Sequence, residues 1–122
     1  MLESNKLIAE FMGWTVQRRE FSVNKNPLTN EWLSDDKLLF HTSWDWLMPV
    51  VEKIGLLKDS SLTISYREDL IPMVTTYHKG GFVNTWGVVS KKPTGNRVTT
   101  MKEATYNSVV EFIKWFNENK AT

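Results

Sequence analysis

His41-Thr42-Ser43-Trp44-Asp45-Trp46-Leu47-Met48-Pro49-Val50-Val51-Glu52-Lys53-Ile54 is the most strongly patterned segment of this chain. Leu47, Val50, Val51 and Ile54 recur at the three- and four-residue steps that line one face of a helix. Their spacing predicts a helix over about 43–57. Ser43 or Asp45 is its expected N-cap, because either side chain can accept from the unpaired backbone N–H groups of the first turn. Pro49 falls inside that helix, where it removes one backbone hydrogen bond and can bend the axis. The remaining residues are unusual for a surface helix. Two tryptophans, with His41 just upstream, mark the segment as either the heart of the core or a partner-binding surface.

Downstream, Leu62, Ile64 and Tyr66 alternate with Thr63, Ser65 and Arg67, the period of a half-buried strand. Residues 73–78 are rich in β-formers, and Gly80-Gly81 separates them from a third run at 82–90 as a hairpin turn. Alternation places Phe82, Asn84, Trp86 and Val88 on one face of that run. Val83, Thr85 and Val89 fall on the other. Residues 91–96 read as a turn. Thr100-Met101-Lys102-Glu103 is a capping box that opens a final helix. Tyr106, Val109, Val110, Phe112, Ile113 and Phe116 form its apolar arc, and Trp115 lies nearly opposite the centre of that arc.

Upstream, residues 4–13 predict a short helix capped by Ser4, striped by Leu7, Ile8, Phe11 and Met12, and stopped by Gly13. Residues 14–23 read as a weak strand or extended edge, and 24–30 as an exposed loop of turn residues. Residues 37–41 read as a short strand. The order α, weak β, α, β-β-β, α is that of an α+β protein. The expected architecture is a three-layer α-β-α sandwich of three helices and a small, mainly antiparallel sheet of three to four strands. It forms a single domain over residues 1–122.

A chain of 122 residues can remove roughly 65–70% of its unfolded surface from water. Its 41% apolar and 24% charged residues are ordinary for a globular protein. Fifteen basic and 14 acidic residues are mixed along the chain for a net charge of +1, which lacks the footprint of a general nucleic-acid binder. The absence of cysteine excludes disulfides, thiolate catalysis and cysteine zinc sites. No apolar run is long enough for a membrane span, and the first residues lack the pattern of a signal peptide. A cytoplasmic protein is expected.

Residues able to do chemistry are sparse. His41 and Asp45 stand four apart, a spacing at which a carboxylate can orient an imidazole, but His41 precedes the helix and no nucleophile accompanies it. His78 reads as a solvated hairpin residue. Asp35-Asp36, Asp45 and Glu52 do not form a calcium loop, and two histidines alone make a poor zinc set. Gly80-Gly81 lacks the surroundings of a phosphate loop. The expectation is therefore a non-enzymatic protein with no cofactor and no metal.

Binding is better represented. Six tryptophans exceed what a small core hides easily, since each buried indole N–H needs a partner. Trp44 and Trp115 are the two expected at the surface, and with His41 they are the candidates for a protein interface. Tyr77 and Trp86, with Arg67 and Arg97, are candidates for stacking on and charge-pairing with a nucleotide held by a homo-oligomer. Phe82 and Trp86, flanked by Lys79, Lys91, Lys92 and Arg97, are the pattern of single-strand stacking. At period two the same rings also serve as core.

Three stretches together resemble one family. They are Asn5-Lys6-Leu7-Ile8-Ala9-Glu10-Phe11-Met12-Gly13, the segment from His41 to Ile54 quoted above, and Ala104-Thr105-Tyr106-Asn107-Ser108-Val109-Val110-Glu111-Phe112-Ile113-Lys114-Trp115-Phe116-Asn117. In these the chain is similar to small phage and prophage proteins grouped as the phage ABA-sandwich domain. The resemblance implies a three-layer α-β-α arrangement and a phage or integrated-element origin, hence a bacterial host cell. It carries no reaction, cofactor or catalytic residue. The expected function is binding of a host or phage macromolecule, most plainly a protein.

Overall fold

The computed structural model describes residues 2–18, 22–57, 59–66, 72–89 and 95–119. Arg67, and Lys91 and Lys92, lie outside the described residues.

The first helix, α1 (Leu2–Phe11), begins before Ser4, which therefore lies within the helix and does not cap it. Its end is the predicted one. Gly13 takes φ +82°, and this left-handed residue lets Trp14 N–H reach Ala9 C=O at 3.0 Å and Gly13 N–H reach Glu10 C=O at 3.1 Å. Those two bonds satisfy carbonyls that a helix end otherwise leaves open.

The weak strand becomes a three-stranded antiparallel sheet of β1 (Thr15–Arg18), β2 (Ser22–Lys25) and β3 (Trp32–Ser34). Asn24, expected in a loop, is a fully buried strand residue, and its amide donates to Leu33 C=O at 3.1 Å and to the Asp35 carboxylate at 2.9 Å. The loop proper is the turn between β2 and β3. There the Asn26 side chain accepts from Leu28 N–H at 2.9 Å, and Asn30 adopts φ 63°. The short strand expected at 37–41 does not form. A 3₁₀ turn at Asp35–Lys37 takes its place, after which Leu38 and Phe40 enter the core at 0% and 2% exposure.

Helix α2 (Trp44–Leu56) runs as predicted, through Pro49. Ser43 is the N-cap by backbone geometry, with its carbonyl accepting from Trp46 and Leu47 N–H at 3.2 and 3.0 Å. Its hydroxyl makes no capping bond. Leu47, Val50 and Ile54 are fully buried and Val51 is half-buried. Pro49 is exposed.

The chain then returns as β4 (Ser60–Tyr66), followed by β5 (Pro72–His78), β6 (Gly81–Val88) and β7 (Arg97–Val98). These form a four-stranded sheet in that order, antiparallel except for the parallel β6–β7 pair. Lys79 and Gly80 make the hairpin turn with φ of 53° and 76°. The turn sits one residue earlier than Gly80-Gly81, since Gly81 already pairs with His78. Two positive φ angles are what a two-residue turn of matching twist requires.

A bulge resets the faces. Thr76 pairs with Asn84 but Tyr77 pairs with Phe82, so Val83 is an extra residue in β6. Val83 packs against the core while Phe82 turns to the other face and is 63% exposed. Phe82 and Trp86 therefore do not share a face, contrary to simple alternation.

The last helix, α3 (Met101–Asn119), covers the inner face of this sheet. The Ser108 hydroxyl donates to Val74 C=O at 3.1 Å, and the Asn84 amide donates to Ser108 C=O at 3.1 Å and to the Thr76 hydroxyl at 2.7 Å. Thr100 caps α3 by accepting from Glu103 N–H at 3.1 Å. One apolar core joins Ile8 and Ala9 of α1, Leu47, Val50 and Ile54 of α2, and Val109, Phe112 and Ile113 of α3, with Leu33, Leu62 and Val83 packed on it. The described residues are thus α+β, with three helices against which two small, mainly antiparallel sheets pack. Sequence patterning had anticipated one sheet.

Candidate functional site

The link from His41 into the first turn of α2 lies beside the start of α3. A cleft of about 410 Å³ is lined by His41, Thr42 and Trp44 on one side and by Thr100, Met101, Lys102 and Glu103 on the other. Two chain features bring these walls together. The link into α2 ends where Ser43 starts the helix, and the Lys102 ammonium donates to Thr42 C=O at 3.0 Å. Trp44 is 38% exposed at this cleft, and Met48, one turn further along α2, is 42% exposed.

His41 is positioned from beneath. Asn5, only 1% exposed, donates its amide to Leu38 C=O at 3.1 Å and to His41 Nδ1 at 2.8 Å. The Leu38 carbonyl can only accept, so that side of the Asn5 side chain must be the NH₂ group. His41 Nδ1 is then the acceptor and the ring carries its proton on Nε2. The Asn5 carbonyl oxygen accepts from the Tyr106 hydroxyl at 2.8 Å. One asparagine thereby joins α1, the link before α2, and α3.

Asp45 is not part of this arrangement. It lines a separate cleft of about 170 Å³ with Trp14, Phe40 and Trp46, and it shares no hydrogen bond with His41. The spacing of four therefore does not produce a histidine–carboxylate pair. Among the described residues no three His, Asp or Glu side chains are grouped so as to hold a metal ion.

The other candidates are dispersed. Trp115 is half-buried, its ring packed 5.1 Å from that of His78 and 6.1 Å from that of Phe112. His78 is itself engaged, with Nδ1 2.7 Å from the Ser60 hydroxyl. Trp86 lies on the inner face of the four-stranded sheet opposite Val74, and its buried indole N–H has no hydrogen-bond partner among the described residues. Tyr77 lies on the outer face, paired with Phe82. Arg97 is exposed on β7. Tyr77 and Trp86 thus look to opposite sides of the sheet and cannot clasp one ring. Met48 and the α3 wall of the cleft were missed. The wall reads in sequence only as a capping box, and nothing local places it beside Trp44.

Burial pushes the Tyr106 phenol above its ordinary value, partly offset by a hydrogen bond with the Ser4 side chain. A tyrosine whose folded pKa is raised contributes stability that is complete below the unfolded pKa of about 10 and is lost as pH rises through the folded value. Denaturant titrations from pH 8 to 12 are expected to show a loss beginning near pH 10. Tyr106→Phe should be less stable at pH 8 but fall less steeply above pH 10. Parallel curves for the two proteins would exclude this linkage.

No helix among the described residues is long and apolar enough to cross a membrane. No protein-family model, curated protein or solved structure matches this chain.

Proposed function

We infer that this chain is a non-enzymatic binding protein of phage or prophage origin, which docks on a host or phage protein through the outer face of α2. The observation that supports this most is the exposure of Trp44 and Met48 one turn apart beside a cleft. A helix on the surface of a globular protein ordinarily turns polar residues outward. Here Trp44, Met48 and Pro49 share that side with the exposed acids Asp45 and Glu52. A partly exposed tryptophan next to a recess that a partner can fill is the usual anatomy of an interface anchor. Lys102 and Glu103 supply a polar rim of both signs.

Nucleotide sequestration and single-strand binding are weaker readings. The first needs Tyr77 and Trp86 to act together, and the second needs Phe82 and Trp86 to do so. In both pairs the rings lie on opposite faces.

The test uses the full chain immobilised and exposed to lysate of a bacterial host, alongside Trp44→Ala, Met48→Ala and Phe82→Ala. A partner retained by the wild type and by Phe82→Ala should be lost by Trp44→Ala. An anchor truncation of about 2 kcal/mol corresponds to roughly thirty-fold weaker binding. Equal capture by Trp44→Ala, at an unchanged melting temperature, would rule this surface out.

A further inference from the structure

The outer edge of β4 is built to pair with another strand. Lys79 N–H donates to Asp59 C=O, so residues 59 and 79 form a hydrogen-bonded pair of the β4–β5 ladder. In an antiparallel ladder such pairs alternate. The register places 61, 63 and 65 in the same class, bonded to 77, 75 and 73. Ser60, Leu62, Ile64 and Tyr66 therefore direct their N–H and C=O groups away from β5. Ser60 N–H is satisfied by Leu57 C=O at 3.2 Å. Among the described residues no strand pairs with Leu62, Ile64 or Tyr66 on that side.

Natural proteins protect such edges with lysine, proline, bulges or an inward charge. Ser60-Ser61-Leu62-Thr63-Ile64-Ser65-Tyr66 has none of these. Its second half is exposed, with Ile64 at 55% and Tyr66 at 69%. Helix α2 packs against β4, yet these two inner-face side chains remain open.

We propose that a second copy of this chain occupies the edge, β4 pairing antiparallel with β4 of the other copy about a two-fold axis at Ile64. This occupant fits because the strand is complementary to itself in that register. Ile64 faces Ile64, Leu62 faces Tyr66, and Thr63 faces Ser65, so apolar meets apolar and hydroxyl meets hydroxyl. Pairing across a two-fold is intolerant of charge near the axis, where like would oppose like, and the strand carries no charge. The alternative axis at Thr63 would place Tyr66 against Ser60, which is buried and has already spent its N–H. The result is one continuous eight-stranded sheet. The surface is distinct from the Trp44 face, so either can fail without the other. A strand edge alone buries less than the roughly 1,200–2,000 Å² of a stable complex, so the dimer is weak and concentration-dependent.

The experiment has two arms. Sedimentation equilibrium of the wild type up to about 1 mM, a concentration that reveals even millimolar dissociation constants, should show a monomer–dimer equilibrium. Ile64→Lys should weaken it at least about ten-fold, with the melting temperature unchanged, because two lysines would meet at the axis. In the second arm a single cysteine is introduced into a chain that has none. Ile64→Cys should cross-link to itself on mild oxidation, since hydrogen-bonded antiparallel pairs hold Cα atoms about 5.5 Å apart, within disulfide range. Phe82→Cys should not cross-link. A wild type that stays monomeric throughout, or a dimer that persists in Ile64→Lys, overturns the proposal.

Discussion

Replacing Asn5 by leucine is expected to cost about 3–5 kcal/mol of folding stability, because it strips the partners from three groups at once and each buried orphan costs about 1–3 kcal/mol. The Leu38 carbonyl, the His41 ring nitrogen and the Tyr106 hydroxyl all bond this one side chain. Leucine has a similar branched outline but is larger, so the apolar burial it returns is partly cancelled by crowding and offsets only part of the loss. For a chain of this size the melting temperature should fall by roughly 10–20 °C. Asn5→Asp should be at least as damaging, because it keeps an acceptor for Tyr106 but loses both donors and buries a charge. Guanidinium titrations of the three proteins decide the matter. A loss under about 1 kcal/mol for the leucine variant would mean that water replaces the asparagine without difficulty, and the link between α1 and α3 would then be packing alone.

Asn5 also shows what sequence patterning cannot see. It sits in a helix among Leu7, Ile8 and Phe11, and nothing local marks it as buried. Its partners lie 33, 36 and 101 residues away. Periodic features were legible because they repeat within one element. The stripe Leu47, Val50 and Ile54 and the glycine stop at Gly13 appear as read, whereas only half of the capping box forms. Thr100 accepts from Glu103 N–H, but the Glu103 carboxylate accepts from the Thr99 and Thr100 hydroxyls and not from the Thr100 backbone. Features set by one residue's register were not. A single extra residue at Val83 is enough to send Phe82 outward, and alternation has no signal for a bulge. Asn24 has the composition of a turn, yet its amide is held by Leu33 and Asp35, which only tertiary pairing supplies. The candidate site was half visible for the same reason. Trp44 and His41 stand out by type, whereas Met101, Lys102 and Glu103 become part of the cleft only when α3 is placed against the link before α2.

Phe40→Ala is the other large effect expected, at about 3–5 kcal/mol for emptying a buried aromatic site. Phe40 is 2% exposed and meets two tryptophan rings, Trp46 edge-on at 5.2 Å and Trp14 at 5.8 Å. Trp14 and Trp46 are themselves 5.7 Å apart, so the three rings form a closed cluster joining the end of α1 to the first turns of α2. Each such pair contributes about 0.5–1.5 kcal/mol beyond area, which places Phe40 toward the upper end of that range. Phe40→Leu should cost less, because much of the volume is kept. Phe82→Ala, at an exposed position, should stay within about 0.5 kcal/mol. Tryptophan emission should shift to the red in Phe40→Ala, as Trp14 and Trp46 gain water, and hold its position in Phe82→Ala. A cost below about 1.5 kcal/mol with unchanged emission would mean that the cluster is loosely held and that the adjoining cleft of about 170 Å³ is an adaptable surface. The expected outcome divides the two tryptophans of the central segment by role. Trp46 is bound into the aromatic cluster, so only Trp44 is left facing outward, and a binding reading of this segment stands or falls with that one ring and Met48 beside it.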